Sequence, residues 1–118
     1  MNLIRLLLTG WVTMFSAMAE AGESGPMGSS VERTRNEVIY RDLVFAEVDD
    51  LPLKLDLYLP QKATGKSRLV VFFHGGSWRS GSKESCQVRW LVRHGYGVAS
   101  VGYRKSHSAP FPVILHDC

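Results

Sequence analysis

The 118 residues are 45% hydrophobic and 21% charged, a balance that excludes a disordered, collagen-like or membrane-embedded chain. That length allows one modest domain. The formal net charge of +3 is small and scattered, as in Glu32-Arg33, Arg41-Asp42 and Lys83-Glu84. No basic run is interleaved with aromatics, so no nucleic-acid partner is expected.

The N-terminus begins with one positive charge, Arg5, followed by an apolar run from Leu6 to Phe15 and the small-x-small pattern Ala17-Met18-Ala19. This order predicts a secretory signal peptide over residues 1–19, cleaved after Ala19, with Ala21 the competing cut. The apolar run is shorter than the roughly 20 residues that span a bilayer. The expectation is therefore an exported chain, periplasmic or secreted, without a membrane anchor after cleavage. Residues 20–37 are rich in Gly, Ser and charge, as in Gly22-Glu23-Ser24-Gly25-Pro26, and are expected to form a flexible lead-in. Residues 38–118 are expected to form the folded unit.

Val38 to Val48 is β-rich and stops at the turn signal Asp49-Asp50. Leu53 to Leu59 alternates strictly, with leucines on one face and Lys54, Asp56 and Tyr58 on a second face expected to be wet. Together these predict an antiparallel hairpin ended by Pro60. Leu69-Val70-Val71-Phe72-Phe73 is apolar without alternation, as expected of a parallel strand covered on both faces. A helix is predicted next, with Val88, Leu91 and Val92 on one face and a stop at Gly95. Gly97 to Gly102 reads as another buried strand. Phe111 to Leu115 reads as the first turn of a second helix, with Pro112 near its start. That helix is interrupted at Cys118, so the domain is expected to be truncated. Two strands in a hairpin and then strand-helix-strand-helix place the chain in the α/β class.

The residues that point to chemistry are His74-Gly75-Gly76-Ser77-Trp78, between a buried strand and a helix. Ligands bind at that end of open α/β sheets. Glycines there let the backbone approach a ligand closely and aim successive N–H groups at one point, where they stabilise negative charge. The bland alternative is a tight turn that uses glycine only for geometry. No serine has glycine at both −2 and +2, as a nucleophile elbow requires. Ser77 fails that pattern and has no base positioned beside it. Cys86 is expected to pack beside the apolar helical stripe. His116, Asp117 and Cys118 are adjacent on a helix start and do not converge on one ion, so no metal is expected. Trp90 and Tyr103 are expected in packing roles, and His94 and His107 carry no assigned chemistry. Cys86 and Cys118 lack the close spacing of a zinc or redox site.

The loop resembles the HGG(x)W oxyanion loop of secreted α/β-hydrolase esterases, the group of feruloyl/xylan-esterase-like proteins and kynurenine formamidases. Three further segments are similar to landmarks of that family: Leu55 to Pro60, Gly95 to Val101 with Tyr103-Arg104, and Phe111-Pro112 with Asp117. The resemblance covers roughly Val38 to Cys118 and implies the N-terminal portion of an α/β-hydrolase fold. It implies a carboxylic-ester hydrolase using a serine nucleophile, a small-molecule ester substrate and no cofactor. The backbone N–H groups of Gly76 and Ser77 would be oxyanion donors and Gly75 would supply the turn. His74 would orient the loop, and Trp78 would brace it or wall the pocket. The nucleophile, acid and histidine of the triad match nothing in these residues. In the resembled fold the helices bearing Cys86 and Cys118 lie on opposite faces of the sheet, which argues against a bridge. An arylformamidase-like amide hydrolase and a non-catalytic exported fragment are the alternatives.

Overall fold

A computed structural model describes residues 23–63 and 65–118; the expected signal peptide lies outside them. Six strands form one sheet: β1 (Glu23–Ser24), β2 (Ser30–Arg33), β3 (Glu37–Val48), β4 (Leu51–Pro60), β5 (Leu69–Phe73) and β6 (Gly97–Gly102). Their order is β1-β2-β3-β4-β6-β5. The pairs from β1 through β4, and β4 with β6, are antiparallel, whereas β5 and β6 are parallel. A 3-10 helix, Arg89–His94, lies in the connection from β5 to β6, and a short helix, α1 (Val113–His116), follows β6. This is the α/β architecture expected from the sequence.

The hairpin of β3 and β4 turns through Asp49 and Asp50, both at positive φ (52° and 62°). A two-residue turn of that hand matches the twist of the paired strands, and aspartate tolerates it. Midway along the hairpin the register slips between Tyr40 and Leu43, so Arg41 and Asp42 together oppose Asp56. Asp42 takes φ 60° in this bulge. The bulge directs the Asp42 N–H and the Arg41 guanidinium onto one carboxylate, at 3.0 and 2.9 Å.

Three expectations are corrected. Ser30–Arg33, within the expected flexible lead-in, pairs as a strand along β3. It satisfies backbone groups that would otherwise line an open edge. The face of β4 expected to be wet is covered: Asp56 is 0% and Tyr58 1% exposed. Tyr58 joins Ile39, Val92 and Val98 in the core, with Cys86, Val88 and Leu91 packed against them. The guanidinium of Arg89 lies 4.8 Å from the centre of the Tyr58 ring, and the same residue forks onto Glu37. Finally, β5 is an outer strand that alternates in exposure instead of being covered on both faces. Val70 and Phe72 are half-buried, whereas Leu69, Val71 and Phe73 are exposed. Its register on β6 sets Val70 beside Val98 and Phe72 beside Ser100. Those two positions therefore face the core.

Behind β6, Arg104 closes a second buried contact. Its backbone N–H and Nε both donate to Asp117 Oδ2, at 3.0 and 2.9 Å, and its Nη2 donates to Oδ1 at 2.8 Å. The Arg104 hydrogen bonds hold the Asp117 pKa below its usual value. Glu84 is held down to about 2, first by a hydrogen bond from Ser82 and also by Lys83. Both groups bind a proton more readily in the unfolded chain, so their stabilisation is present above the ordinary carboxylate values and is lost as pH falls. The urea midpoint is expected to decline as pH falls below the ordinary carboxylate values. Asp117 carries most of this decline, because Glu84 is exposed and water screens its charge. Asp117→Asn should flatten the decline; an unchanged midpoint-versus-pH curve in that variant would remove Asp117 as its cause.

Candidate functional site: the His74 to Lys83 loop

The loop after β5 and the segment after β6 emerge at the same end of the sheet, as their parallel pairing requires. The Ser106 N–H donates to Trp78 O at 2.8 Å, joining the two. At its start the loop is locked by His74, which is buried. The imidazole stacks on the Tyr103 ring with centroids 4.3 Å apart and planes 14° from parallel. The Tyr103 hydroxyl donates to the His74 carbonyl, and burial raises the Tyr103 pKa, so this donor keeps its proton. His74 Nδ1 lies 3.0 Å from Gly75 O; with the proton on Nδ1, the ring donates to that carbonyl.

The turn itself is strained. Gly76 has φ 124°, and Ser77 and Trp78 follow at 52° and 61°. The positive φ therefore falls on these three residues and not on Gly75, to which the sequence reading gave the turn. A side chain at Gly76 is doubly excluded, since its Cβ would lie 2.3 Å from Ser80 O. The reason for that close approach is a tight closure: the N–H groups of Arg79 and Ser80 both donate to Gly76 O, at 2.9 and 3.1 Å. The N–H groups of Gly76 and Ser77 take no part in this internal pairing. Above Gly75 the space is open, with no heavy atom within 4 Å of where a Cβ would stand. Trp78 is partly exposed and sits 6.1 Å from Tyr103, ring to ring.

Two contributors were missed in the sequence. Gly81 has φ 86°, and a Cβ there would lie 2.3 Å from Gly75 O and 2.5 Å from His74 Nδ1. Gly81 thus lets the far limb of the loop press against the His74 ring. The signal for it was a third glycine five residues after Gly76. The second is Lys83, which anchors the end of the loop. Its Nζ donates to Asp56 Oδ1 at 2.7 Å, and its carbonyl accepts the Ser100 hydroxyl at 2.7 Å. Burial alone would lower the Lys83 pKa, yet hydrogen bonds to Asp56, Glu84 and Asp42 hold it well above its ordinary value. The ammonium is therefore charged throughout the neutral range. A depression of about 250 Å³ opens beside these anchors, lined in part by Lys54, His74, Lys83, Glu84, Tyr103 and Lys105.

The remaining candidates carry no chemistry together. Cys86 and Cys118 are both free thiols. Asp117 is engaged by Arg104, and no group of three His, Cys, Asp or Glu positioned for a metal occurs among the described residues. Trp90 contacts His94 edge-on at 5.6 Å, outside the loop.

A profile of the BD-FAE family matches residues 55–118. Arylacetamide deacetylase-like 3 of Mus musculus is 38% identical over 86 residues, which cover 70% of this chain and 20% of the mouse protein. Kynurenine formamidase of Danio rerio is 36% identical over 78 residues, covering 64% of this chain and 26% of the fish protein. FAD-linked oxidoreductase pytB of Aspergillus terreus is 42% identical over 65 residues, covering 52% of this chain but 8% of the fungal protein. Among solved structures, a bacterial heroin esterase superposes with a TM-score of 0.57 at 24% identity, over 77% of this chain and 27% of that one. That likeness identifies the fold as the N-terminal portion of an α/β-hydrolase. The chain spans between 8% and 26% of the length of these three curated relatives.

Proposed function

The chain belongs to the BD-FAE family, and from that premise we propose that it supplies the oxyanion-hole loop of a carboxylic-ester hydrolase of the serine-nucleophile type. The observation that carries this reading is the Gly76-Ser77 turn. Its two successive N–H groups are left out of the loop's own pairing, next to open space above Gly75. Two buried anchors support it, Tyr103 on His74 and Asp56 on Lys83. Donors fixed before the reaction stabilise developing negative charge without reorganising, and this is what a tetrahedral oxyanion requires. Gly76 and Ser77 are the donors in this reading, with His74 orienting the loop and Trp78 walling the approach.

The attacking group is assigned to sequence outside these residues, because no Gly-x-Ser-x-Gly occurs among them. Catalysis then runs through an acyl-enzyme: the serine oxygen bonds to the acyl carbon, the alcohol leaves, and water releases the acid. An amide hydrolase is the second reading, favoured by the 36% identity to kynurenine formamidase. The same donors serve either leaving group.

The test is hydrolysis of p-nitrophenyl acetate and of an N-formyl anilide by two polypeptides. One is the 118-residue chain, and the other is that chain continued by the coding sequence that follows it, through a Gly-x-Ser-x-Gly segment. Turnover is expected only from the second, blocked by a serine-directed inhibitor. Faster relative turnover of the anilide would favour the amide reading. Inhibitor-sensitive turnover by the 118-residue chain would overturn the assignment of the attacking group. Absence of a continuing hydrolase sequence would leave a non-catalytic product.

A further inference from the structure

At the end of the sheet opposite the His74 loop, folding gathers cations that are dispersed in the sequence. Three depressions of about 370, 700 and 420 Å³ lie there. Asn36, Val92 and Arg93 are shared by the first two, and Pro60, Lys62 and Gly95 by the last two, so they form one continuous groove. Arg35, Lys62, Lys66, Arg68 and Arg93 line it. None of the five is ion-paired among the described residues. The one carboxylate in the lining, Glu37, is already held by Arg89. Unneutralised positive charge confined to a groove raises the local concentration of anions and orients an anionic ligand along it.

We propose that this groove binds an extended anionic polysaccharide, a polymer of uronate type. The five cations are spread over three depressions joined by shared lining residues, which suits a chain molecule better than a compact ion. Trp90 stands 58% exposed in the first depression, beside Arg89 and Arg93. An exposed indole offers an apolar face to the C–H side of a sugar ring, with guanidinium groups beside it for the carboxylate. The exposed amides of Asn36 and Gln61 supply donors and acceptors for sugar hydroxyls. An acidic polypeptide satisfies the cations but has no need of the indole and amides at one wall. Tyr96 lines the third depression beside Lys66 and Arg68, so single-stranded nucleic acid is the competing occupant and an outcome of the test.

The experiment titrates the 118-residue chain with an oligogalacturonate, with poly-glutamate, with oligo-dT and with neutral dextran, following Trp fluorescence and heat. Binding of oligo-dT as tight as that of oligogalacturonate would overturn the glycan in favour of nucleic acid. Oligogalacturonate is expected to bind best, with affinity falling as salt rises. The triple variant Arg35→Ala, Lys62→Ala, Arg93→Ala should lose about tenfold or more. Trp90→Ala should lose a similar amount for oligogalacturonate and nothing for poly-glutamate. Arg79→Ala, which removes a charge at the opposite end, should bind like the parent. Equal binding of poly-glutamate, unaffected by Trp90→Ala in both cases, would overturn the glycan in favour of an acidic peptide. Equal binding of dextran, no binding, or retention of affinity in the triple variant would overturn the site itself. The triple variant and Trp90→Ala alter groove-lining positions, Arg79→Ala lies outside the groove, and each is checked by its urea midpoint before titration.

Discussion

Asp56→Ala is expected to cost the fold about 3–5 kcal/mol, the usual penalty for breaking a buried ion pair from one side. Asp56 is fully buried, and its two oxygens are shared among Arg41 Nη1, Lys83 Nζ and the Asp42 N–H. Removing the carboxylate leaves two cations facing each other with only the more exposed carboxylates of Glu32, Asp42 and Glu84 beside them; the Lys83 side chain is only 12% exposed. The loss is a large share of the roughly 5–15 kcal/mol that separates folded from unfolded domains. Asp56→Asn keeps the volume but not the charge, and should recover only the bond from the Asp42 N–H. Urea unfolding measures this, through a lower midpoint at constant slope. The double variant Asp56→Ala, Lys83→Met should lose less than the two single losses added, since it removes the ammonium that has lost its buried partner. A single-variant loss under about 1 kcal/mol would show that solvent reaches the cluster and the carboxylate is not buried in solution.

That cluster also marks where the sequence stops being legible. Leucine alternation in β4 predicts a strand, and it is one. Alternation does not say which face is covered, because Asp56 finds its cations 15 and 27 residues away. A polar residue reads as wet until its partners are known, and here the partners come from a bulge and from the far end of a loop. The same reasoning applies to the segment after Cys86. Val88 and Leu91 are three apart, a spacing that suits a 3-10 turn as well as an α-helix, and the 3-10 form is what packs on β4 and β6. Gly95 ends it in the left-handed conformation, as its place after Arg93-His94 suggests. β2 left no signal: Val31 is the single apolar residue of Ser30–Arg33, and its pairing comes from the backbone edge that β3 offers. The His74-Gly75-Gly76 motif was legible because paired glycines directly after an apolar strand point to a geometric reason. Gly81 was not, since the atoms it avoids belong to residues six and seven positions earlier.

Gly76→Ala, in the polypeptide that contains both this loop and the nucleophile, is expected to lower kcat by about 10²–10³ with little change in KM. This is the cost of losing one oxyanion donor, about 2.7–4 kcal/mol. The mechanism is a clash: the new Cβ would sit 2.3 Å from Ser80 O and 2.6 Å from Ser80 C, at a φ of 124° that L side chains rarely adopt. The turn must open, which displaces the N–H groups of Gly76 and Ser77. Ser77→Ala separates backbone from side chain, because alanine keeps the N–H and removes only the hydroxyl. It should retain kcat within a few-fold, a loss of about 1 kcal/mol at most. Residue 77 already sits at φ 52° with a Cβ, so the substitution adds no new strain there. Equal losses in the two variants would make the Ser77 hydroxyl the acting group and remove the oxyanion reading of the backbone. Full activity in Gly76→Ala would remove the loop from the chemistry altogether. Loop opening and global unfolding are distinguished by the urea midpoint. Gly76 lies in an exposed turn, outside the Ile39-Tyr58-Val92-Val98 core, so the midpoint should hold while kcat falls.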